Sequence, residues 1–392
     1  MLSVKALERS RETEPSRVSS NASTLAKRNA LTLHRFTLLA TRQGKTAAVR
    51  ALLVGAGGMG KAWGRNLREN LDTTIAGWID MRPGAAEEAA AEVQVRPEYL
   101  GTDLEHAIQT LSPDFVVDIT SPSGHREVTT TALGLGIPVI GEKPMATGLN
   151  EAKEMVAASE KAGKLYMVSQ SRRYDGRLQA YRRLIEANLG TLGILNSDFY
   201  IGAHFGGFRD EMEHVLLVDM AIHTFDAARY LSQADPVSVY AEEFNPKWSW
   251  YKGAASATCL FEMTGGLRYT YRGSWCAEGS PSSWESDWRA VSENGTALWD
   301  GFGDPKGQVV VEAGGFHSKV DDIGERSLEI KSGIAGSLDE FLLALKTGSV
   351  PNGECHDNIK SFAMVCAAVE SSRRGERVTI AELIDLASRK ER

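Results

Sequence analysis

The sequence predicts an α/β protein in which a doubly wound parallel sheet is followed by a strand-rich region of antiparallel hairpins. Three observations carry this. From Val49 onward, short apolar runs alternate with helix-period segments, the pattern of parallel strands joined by right-handed helical crossovers. A glycine-rich turn, VGAGGMG at 54–60, separates the first such strand from the first helix. Residues 236–312 then become a series of strand-like runs with glycine-containing turns.

Taken in order, residues 1–46 come first and fit neither pattern. The first 50 residues hold ten Lys or Arg against three Glu, and no acidic residue lies between Pro15 and Arg68. A poorly ordered basic extension is expected there. Its bias loosely resembles an organelle presequence, but His34 and Arg35 interrupt the apolar run that a secretory leader would need.

A domain over 47–170 follows. VRALLVG reads as a buried strand, MGKAWGRNLREN as a helix and TTIAGWID as a second strand. RPGAAEEAAAEVQV reads as a helix with Pro83 near its first turn, where a missing N–H is tolerated. DFVVDIT and IPVIGEKP are further strands around the helical HREVTTTALGLG. The helix NEAKEMVAASEKAG should end on Gly163, before the strand KLYMVSQ.

Residues 171–392 change character. A basic helix, GRLQAYRRLIEANLG, leads to GILNSDFYIGAHF and then to a helix containing VDMAIH. PVSVYAEEF, SATCLFEMT, GLRYTYRGSW and DWRAVSENGTALWD read as hairpin strands turning at Gly265-Gly266 and Asn294-Gly295. Helices near 334–347 and 356–374 close the chain.

Composition excludes several functions. No run of about eighteen apolar residues exists to span a membrane. Beyond residue 50 the chain carries 34 basic against 48 acidic side chains, so it lacks the basic surface that nucleic-acid phosphates require. Four scattered cysteines, Cys259, Cys276, Cys355 and Cys366, form no C-x-x-C pair and fit a reducing, cytoplasmic setting.

The turn at 54–60 has the chemistry of a pyrophosphate cradle. Gly55 permits the tight turn, Gly57 lets backbone approach the phosphates and Gly60 lets helix and strand pack closely. Gly58 and Met59 stand at the helix N-terminus, where free N–H groups face the ligand. Asp80 closes the next strand, placed to accept hydrogen bonds from an adenosine ribose, which favours NAD. Arg82, two residues on, keeps NADP open. Ser121, after the DFVVDIT strand, and Glu142 are expected beside the cofactor with them.

GEKPMAT at 141–147 follows a strand at its carboxyl end, where open α/β sheets bind ligands. Lys143 is placed there to reach the nicotinamide end, with Pro144 fixing the backbone. In VDMAIH, Asp219 and His223 are four residues apart and share a helix face. Oxidation of a secondary alcohol needs a base for the hydroxyl proton, a role suited to histidine. Asp219 would orient the imidazole, and the Lys143 ammonium would stabilise charge on the substrate oxygen.

With Gly55, Gly57, Gly60, Asp80, the EKP of 142–144, QSRRYDGRL at 170–178 and VDMAIHTFDAARYL at 218–231, the chain resembles the glucose-fructose oxidoreductase, inositol dehydrogenase and MocA family. GECHDNIKSFAMVCAAVESSRRGERV at 353–378 is similar to that family's closing helix. The resemblance implies a Rossmann domain, then an α/β domain with a large, mostly antiparallel open sheet used for homodimer or homotetramer contacts. Closing helices are then expected to pack back toward the Rossmann domain. It also implies an NAD(P)-dependent dehydrogenase of sugars, sugar acids or cyclitols, with Lys143, Asp219 and His223 as its catalytic lysine, acid and histidine.

Other readings of the same residues remain. Arg173 and Tyr174 at the junction, and His204 and Arg209 in the glycine-broken loop GAHFGGFRDEMEH, are candidate substrate contacts. His204, His214, Asp219 and His223 fall within twenty residues, but no metal motif appears and hydride transfer needs no metal. Redox-neutral NAD-dependent glycoside cleavage and a non-catalytic ligand sensor are the alternative functions. Six of the eight tryptophans lie in 248–299, a pattern that favours cross-strand and subunit packing over sugar stacking.

Overall fold

Leu52 and Val54 of the first strand face one hydrophobic cluster while Ala51 and Leu53 face another. That alternation, with all four side chains buried, is what a strand covered by helices on both faces requires. The computed structural model describes residues 48–389, so the expected basic extension at 1–46 lies outside the described residues.

The strand belongs to a six-stranded sheet made of β1 (Val49–Val54), β2 (Thr73–Ile79), β3 (Tyr99–Gly101), β4 (Phe115–Asp118), β5 (Val139–Gly141) and β6 (Tyr166–Val168). All pairings are parallel, in the order β3-β2-β1-β4-β5-β6. The order reverses between β1 and β4, which opens the crevice at their carboxyl ends. The crossovers contain α1 (Gly58–Glu69), α2 (Ala85–Val93), α3 (Leu104–Leu111), α4 (Pro122–Gly134) and α5 (Leu149–Ala162). α5 ends on Gly163 in the left-handed conformation, as expected. α2 starts later than the sequence suggests: left-handed Gly84 caps it, and Pro83 stands outside the helix. β3 and α3 were not evident, because a three-residue strand shows no alternation.

In the remaining chain, α6 (Gly176–Asn188) precedes β7 (Leu192–Tyr200). A π-helical turn, Leu216–Ala221, runs directly into α7 (Ile222–Ser232). β8 (Pro236–Phe244), β9 (Ser256–Met263), β10 (Arg268–Ser274), β11 (Asp287–Ser292), β12 (Gly295–Trp299), β13 (Lys306–Glu312) and β14 (Lys319–Gly324) follow. α8 (Gly333–Thr347), α9 (Cys355–Arg374), the short β15 (Val378–Thr379) and α10 (Ile380–Arg389) complete the described chain. The nine strands pair as β14-β13-β12-β11-β7-β10-β9-β8-β15. All neighbours are antiparallel except β7 and β10.

One face of this sheet packs on α7, where Phe225 meets Phe261 and Tyr271 at centroid distances of 4.9 and 5.2 Å. Burying a phenylalanine there contributes about 2–3 kcal/mol and fixes the rotation of the helix that carries His223. α8 returns to the parallel sheet, with Phe341 tilted against Phe115 at 5.3 Å.

Candidate active site

The glycine turn has the shape its three glycines suggest. Gly55 has φ +111°, and a Cβ there would stand 2.4 Å from the Ile119 carbonyl oxygen. A Cβ on Gly60 would stand 2.2 Å from the Gly55 carbonyl oxygen, so strand and helix meet only because both are glycine. Gly57 and Gly58 differ: a Cβ on either would meet nothing within 4 Å. Gly57 caps α1 without a side-chain hydrogen bond, leaving the first-turn amides to a ligand. A pyrophosphate therefore fits on the backbone here. Met59 is half exposed beside it.

Asp80 is buried at the end of β2 and accepts from the Ala56 amide at 2.7 Å and the Arg82 amide at 2.9 Å. Burial raises its pKa, but the hydrogen bonds from Arg82 and Ala56 with the Arg82 charge leave it below the ordinary carboxylate value. Next to it, a cavity of about 210 Å³ is lined by Ala56, Gly57, Gly58, Lys61, Arg82, Ala85 and Glu88. Ser121 caps α4 and its hydroxyl lies 2.9 Å from that of Ser123.

Glu142 and Lys143 follow β5. Glu142 is buried and accepts from the Trp63 indole of α1 at 2.7 Å, which ties the lysine turn to the helix that follows the glycine turn. Burial pushes its carboxyl up, against the pull of Trp63 and Lys143. Nearby, fully buried Asp118 lies 3.0 Å from His125 Nδ1. Burial disfavours the His125 charge, yet Asp118 and then Glu142 raise it above the ordinary histidine value. This Asp118–His125 pair was missed in the sequence; its signal was a histidine in the first helical turn after β4.

Lys143 reaches the π-helical turn that leads into α7. Its Nζ donates to the Asp219 carbonyl at 3.0 Å and lies 3.5 Å from Asp219 Oδ1. Arg209 Nε donates to Asp219 Oδ2 at 2.6 Å. The expected Asp219–His223 contact is not made: the Asp219 carboxylate is turned to two cations, and a cationic partner outcompetes a neutral imidazole. Both residues nonetheless flank the junction of the π-helical turn and α7.

His223 keeps a partial opening to solvent, while its Nδ1 is enclosed and has no hydrogen-bond partner among the described residues. Burial, then the charges of Arg172 and Lys143, hold its pKa well below the ordinary histidine value. The same surroundings favour the neutral imidazole. Arg172 is positioned by Glu285, 3.5 Å away, and by the Met220 sulfur, also at 3.5 Å. Burial raises the Glu285 carboxyl.

Two of the candidate substrate contacts have partners within the fold. Arg173 is buried and engaged by Asp226 at 2.6 and 2.7 Å and by Asp357 at 3.0 Å. Tyr174 is buried and its hydroxyl donates to Glu340. Both bind the fold together because a buried cation or hydroxyl must find partners. His204 stacks on Trp250 at 3.6 Å and bonds Glu278 at 2.7 Å, and His214 bonds Glu243. Neither joins Asp219 and His223. Among the described residues, side chains grouped with metal-ligand potential are Glu354, Cys355 and His356, none of them in the suspected histidine set.

The tryptophans divide. Trp275, Trp288 and Trp299 are buried, while Trp248 and Trp284 are exposed. The larger cavity, about 880 Å³, lies over the outer sheet face around Asp198, Arg272 and Arg289 and holds none of Lys143, Asp219 or His223. Enclosure alone is therefore a poor guide to the chemistry here.

Comparison with known proteins agrees with this layout. The model of an oxidoreductase family with an NAD-binding Rossmann fold, GFO_IDH_MocA, matches residues 49–170, and the GFO/IDH/MocA C-terminal domain matches residues 150–298. An uncharacterized protein, y4oX, of Sinorhizobium fredii is 27% identical over 358 residues, covering 86% of this chain and 96% of that protein. D-apiose dehydrogenase of Rhizobium rhizogenes is 27% identical over 290 residues, covering 69% and 80%. Inositol 2-dehydrogenase of Streptomyces avermitilis is 25% identical over 332 residues, covering 84% and 93%. Among solved structures, an oxidoreductase from Agrobacterium radiobacter in complex with NAD+, L-tartaric acid and magnesium has a TM-score of 0.74 at 23% identity. The match covers 86% of this chain and 100% of that one.

Proposed function

This chain belongs to the GFO/IDH/MocA family of NAD-binding oxidoreductases, and from that premise we propose that it oxidises a secondary alcohol of a sugar, sugar acid or cyclitol. His223 is the base and Lys143 stabilises the substrate oxygen. The observation that carries this reading is the seat of the Lys143 ammonium on the Asp219 carbonyl, one turn before His223. The names of the D-apiose and inositol dehydrogenases support the substrate class.

Gly55, Gly57, Gly58, Met59 and Gly60 would hold the pyrophosphate of NAD, Asp80 its ribose, and Ser121, Glu142 and Lys143 the nicotinamide end. When bound, NAD supplies the two-electron acceptor. The protein's own part is proton handling. Neutral His223 takes the hydroxyl proton, and its partial opening gives that proton a route to solvent. The Lys143 ammonium, largely buried, offsets charge building on the oxygen where water is scarce. Asp219 can serve His223 only after it leaves Arg209.

The outer sheet face is read as the homodimer or homotetramer surface. Tyr240, Leu260 and Ile194 are partly exposed there, with Tyr240 and Leu260 directly paired across strands. Among the described residues no helix is long and apolar enough to cross a membrane, and the cysteines are free. A cytoplasmic setting remains part of the same proposal.

The test is NADH formation from NAD across a panel of aldoses, aldonates, uronates and cyclitols. Turnover of at least one polyol is expected. Release of free sugar from glycosides without net NADH would replace this reading with redox-neutral cleavage, and NAD binding without turnover would replace it with a sensor.

A further inference from the structure

We propose that the substrate carries a carboxylate and that Arg209 is the residue that receives it; this rests on the dehydrogenase reading above and narrows it. Lys143, Arg172 and Arg209 all reach the junction of the π-helical turn and α7. Arg172 has Glu285 as its own counter-charge. Lys143 and Arg209 share one carboxylate, that of Asp219. Asp219 is thus the carboxylate that two cations divide between them, and a substrate carboxylate would give Arg209 a second one.

The geometry of Arg209 supplies the receptor. Only its Nε is engaged, on Asp219 Oδ2 at 2.6 Å. Its two Nη atoms have no hydrogen-bond partner among the described residues, and about a third of the side chain is open to solvent. A guanidinium with both Nη donors free matches a carboxylate in a two-point contact. The plane is held by Phe205 and Phe208, whose rings lie 5.0 and 4.7 Å from the guanidinium carbon. The fork is thus oriented before any ligand arrives.

His223 gives the exchange a catalytic consequence. Its enclosed Nδ1 has no hydrogen-bond partner among the described residues. The acid four residues earlier, which could supply one, is occupied by Arg209. A substrate carboxylate on the two free Nη atoms shares the Arg209 charge with Asp219, which loosens the hold on that acid while Nε stays engaged. Arg209 is a specificity-determining residue whose effect on His223 passes through Asp219.

The experiment compares each acid with its neutral congener, D-glucuronate with D-glucose and D-gluconate with sorbitol, in the NAD-loaded wild-type protein and in Arg209→Gln and Arg209→Lys. Wild type is expected to favour the acid in kcat/KM by about tenfold to a hundredfold, the scale of one charge-assisted contact. Arg209→Gln should bring that ratio close to one, chiefly by raising KM for the acid, and Arg209→Lys should restore part of it. Equal use of acid and neutral congener by wild type overturns the proposal. So does an equal loss on both substrates in Arg209→Gln. Calorimetric binding of the same pairs to the NAD-loaded protein reads charge preference without turnover. Tighter binding of the acid supports the proposal even if the dehydrogenase reading fails, and equal or absent binding overturns it.

Discussion

The phosphate turn at 55–60 is built from backbone within one continuous segment, whereas the region around Asp219 and His223 is built from side chains gathered from Lys143, Arg172, Arg209 and Glu285. In the first, glycine identity and conformation are nearly one statement: a Cβ at Gly55 or Gly60 would collide with a carbonyl. In the second, the same side chain has several available partners, and Asp219 takes the cations rather than the histidine. Local sterics leave few choices; long-range electrostatics leaves several. The two regions are joined physically by the Trp63–Glu142 hydrogen bond and then by Lys143 on Asp219.

The largest expected effect separates the regions by function. Lys143→Ala and His223→Ala should each lower turnover by about 10²–10⁴-fold, with the NAD dissociation constant nearly unchanged in His223→Ala and only modestly raised in Lys143→Ala, which loses one contact at the nicotinamide end. Stopped-flow turnover with parallel NAD titration checks this. Near-normal turnover in both variants would remove the side-chain half of the contrast.

Next in size is the buried ion cluster on α7. Arg173→Met leaves the buried Asp226 carboxylate without its bidentate partner. A loss of about 3–5 kcal/mol is expected, measured by urea unfolding. Loss of substrate affinity with unchanged stability would return Arg173 to the substrate site.

The glycines can be set against one another within the turn. Gly60→Ala should cost about 1–3 kcal/mol of stability, because its Cβ meets backbone rather than a movable side chain. Gly57→Ala should leave the melting temperature in place and weaken NAD binding, since its Cβ enters the open cradle. Similar melting losses in both would mean that the cradle is not open.

The smallest expected effect lies in two histidines with opposite surroundings. His125 is raised by Asp118 and Glu142 despite burial, while His223 is lowered by burial, Arg172 and Lys143. His125 therefore contributes stability that is present below its unfolded pKa of about 6.5 and lost as pH rises through its folded value. His223 does the reverse: its contribution is full above about pH 6.5 and is lost as pH falls toward its folded value. Imidazole NMR titration should place the His125 midpoint above that of His223. Coincident midpoints would erase the difference in environment.

Much of this molecule was legible in the sequence, for identifiable reasons. β1, β2 and β4 could be read because both-face burial produces continuous apolar runs. β3 and β15, with three and two residues, carry too little pattern. β13 and β14 were missed because few of their side chains are buried and the apolar alternation is correspondingly faint. Within the site, Lys143 could be located from its strand end, but Arg173 and Tyr174 could not be told from substrate contacts. Their partners Asp226, Asp357 and Glu340 lie 53 to 184 positions away in the chain.

The sequence by itself determined the α/β class, the glycine turn and the place of Lys143 after a strand end. These follow from periodicity and from backbone sterics, which act over a few residues. Only the tertiary structure decided that Arg209 and Lys143 hold Asp219, that His223 Nδ1 has no hydrogen-bond partner among the described residues, and that Asp226 and Asp357 engage Arg173. Those outcomes depend on which charges meet at hydrogen-bonding distance after the chain has folded. Lys143 and Asp219, 76 positions apart, are one such pair.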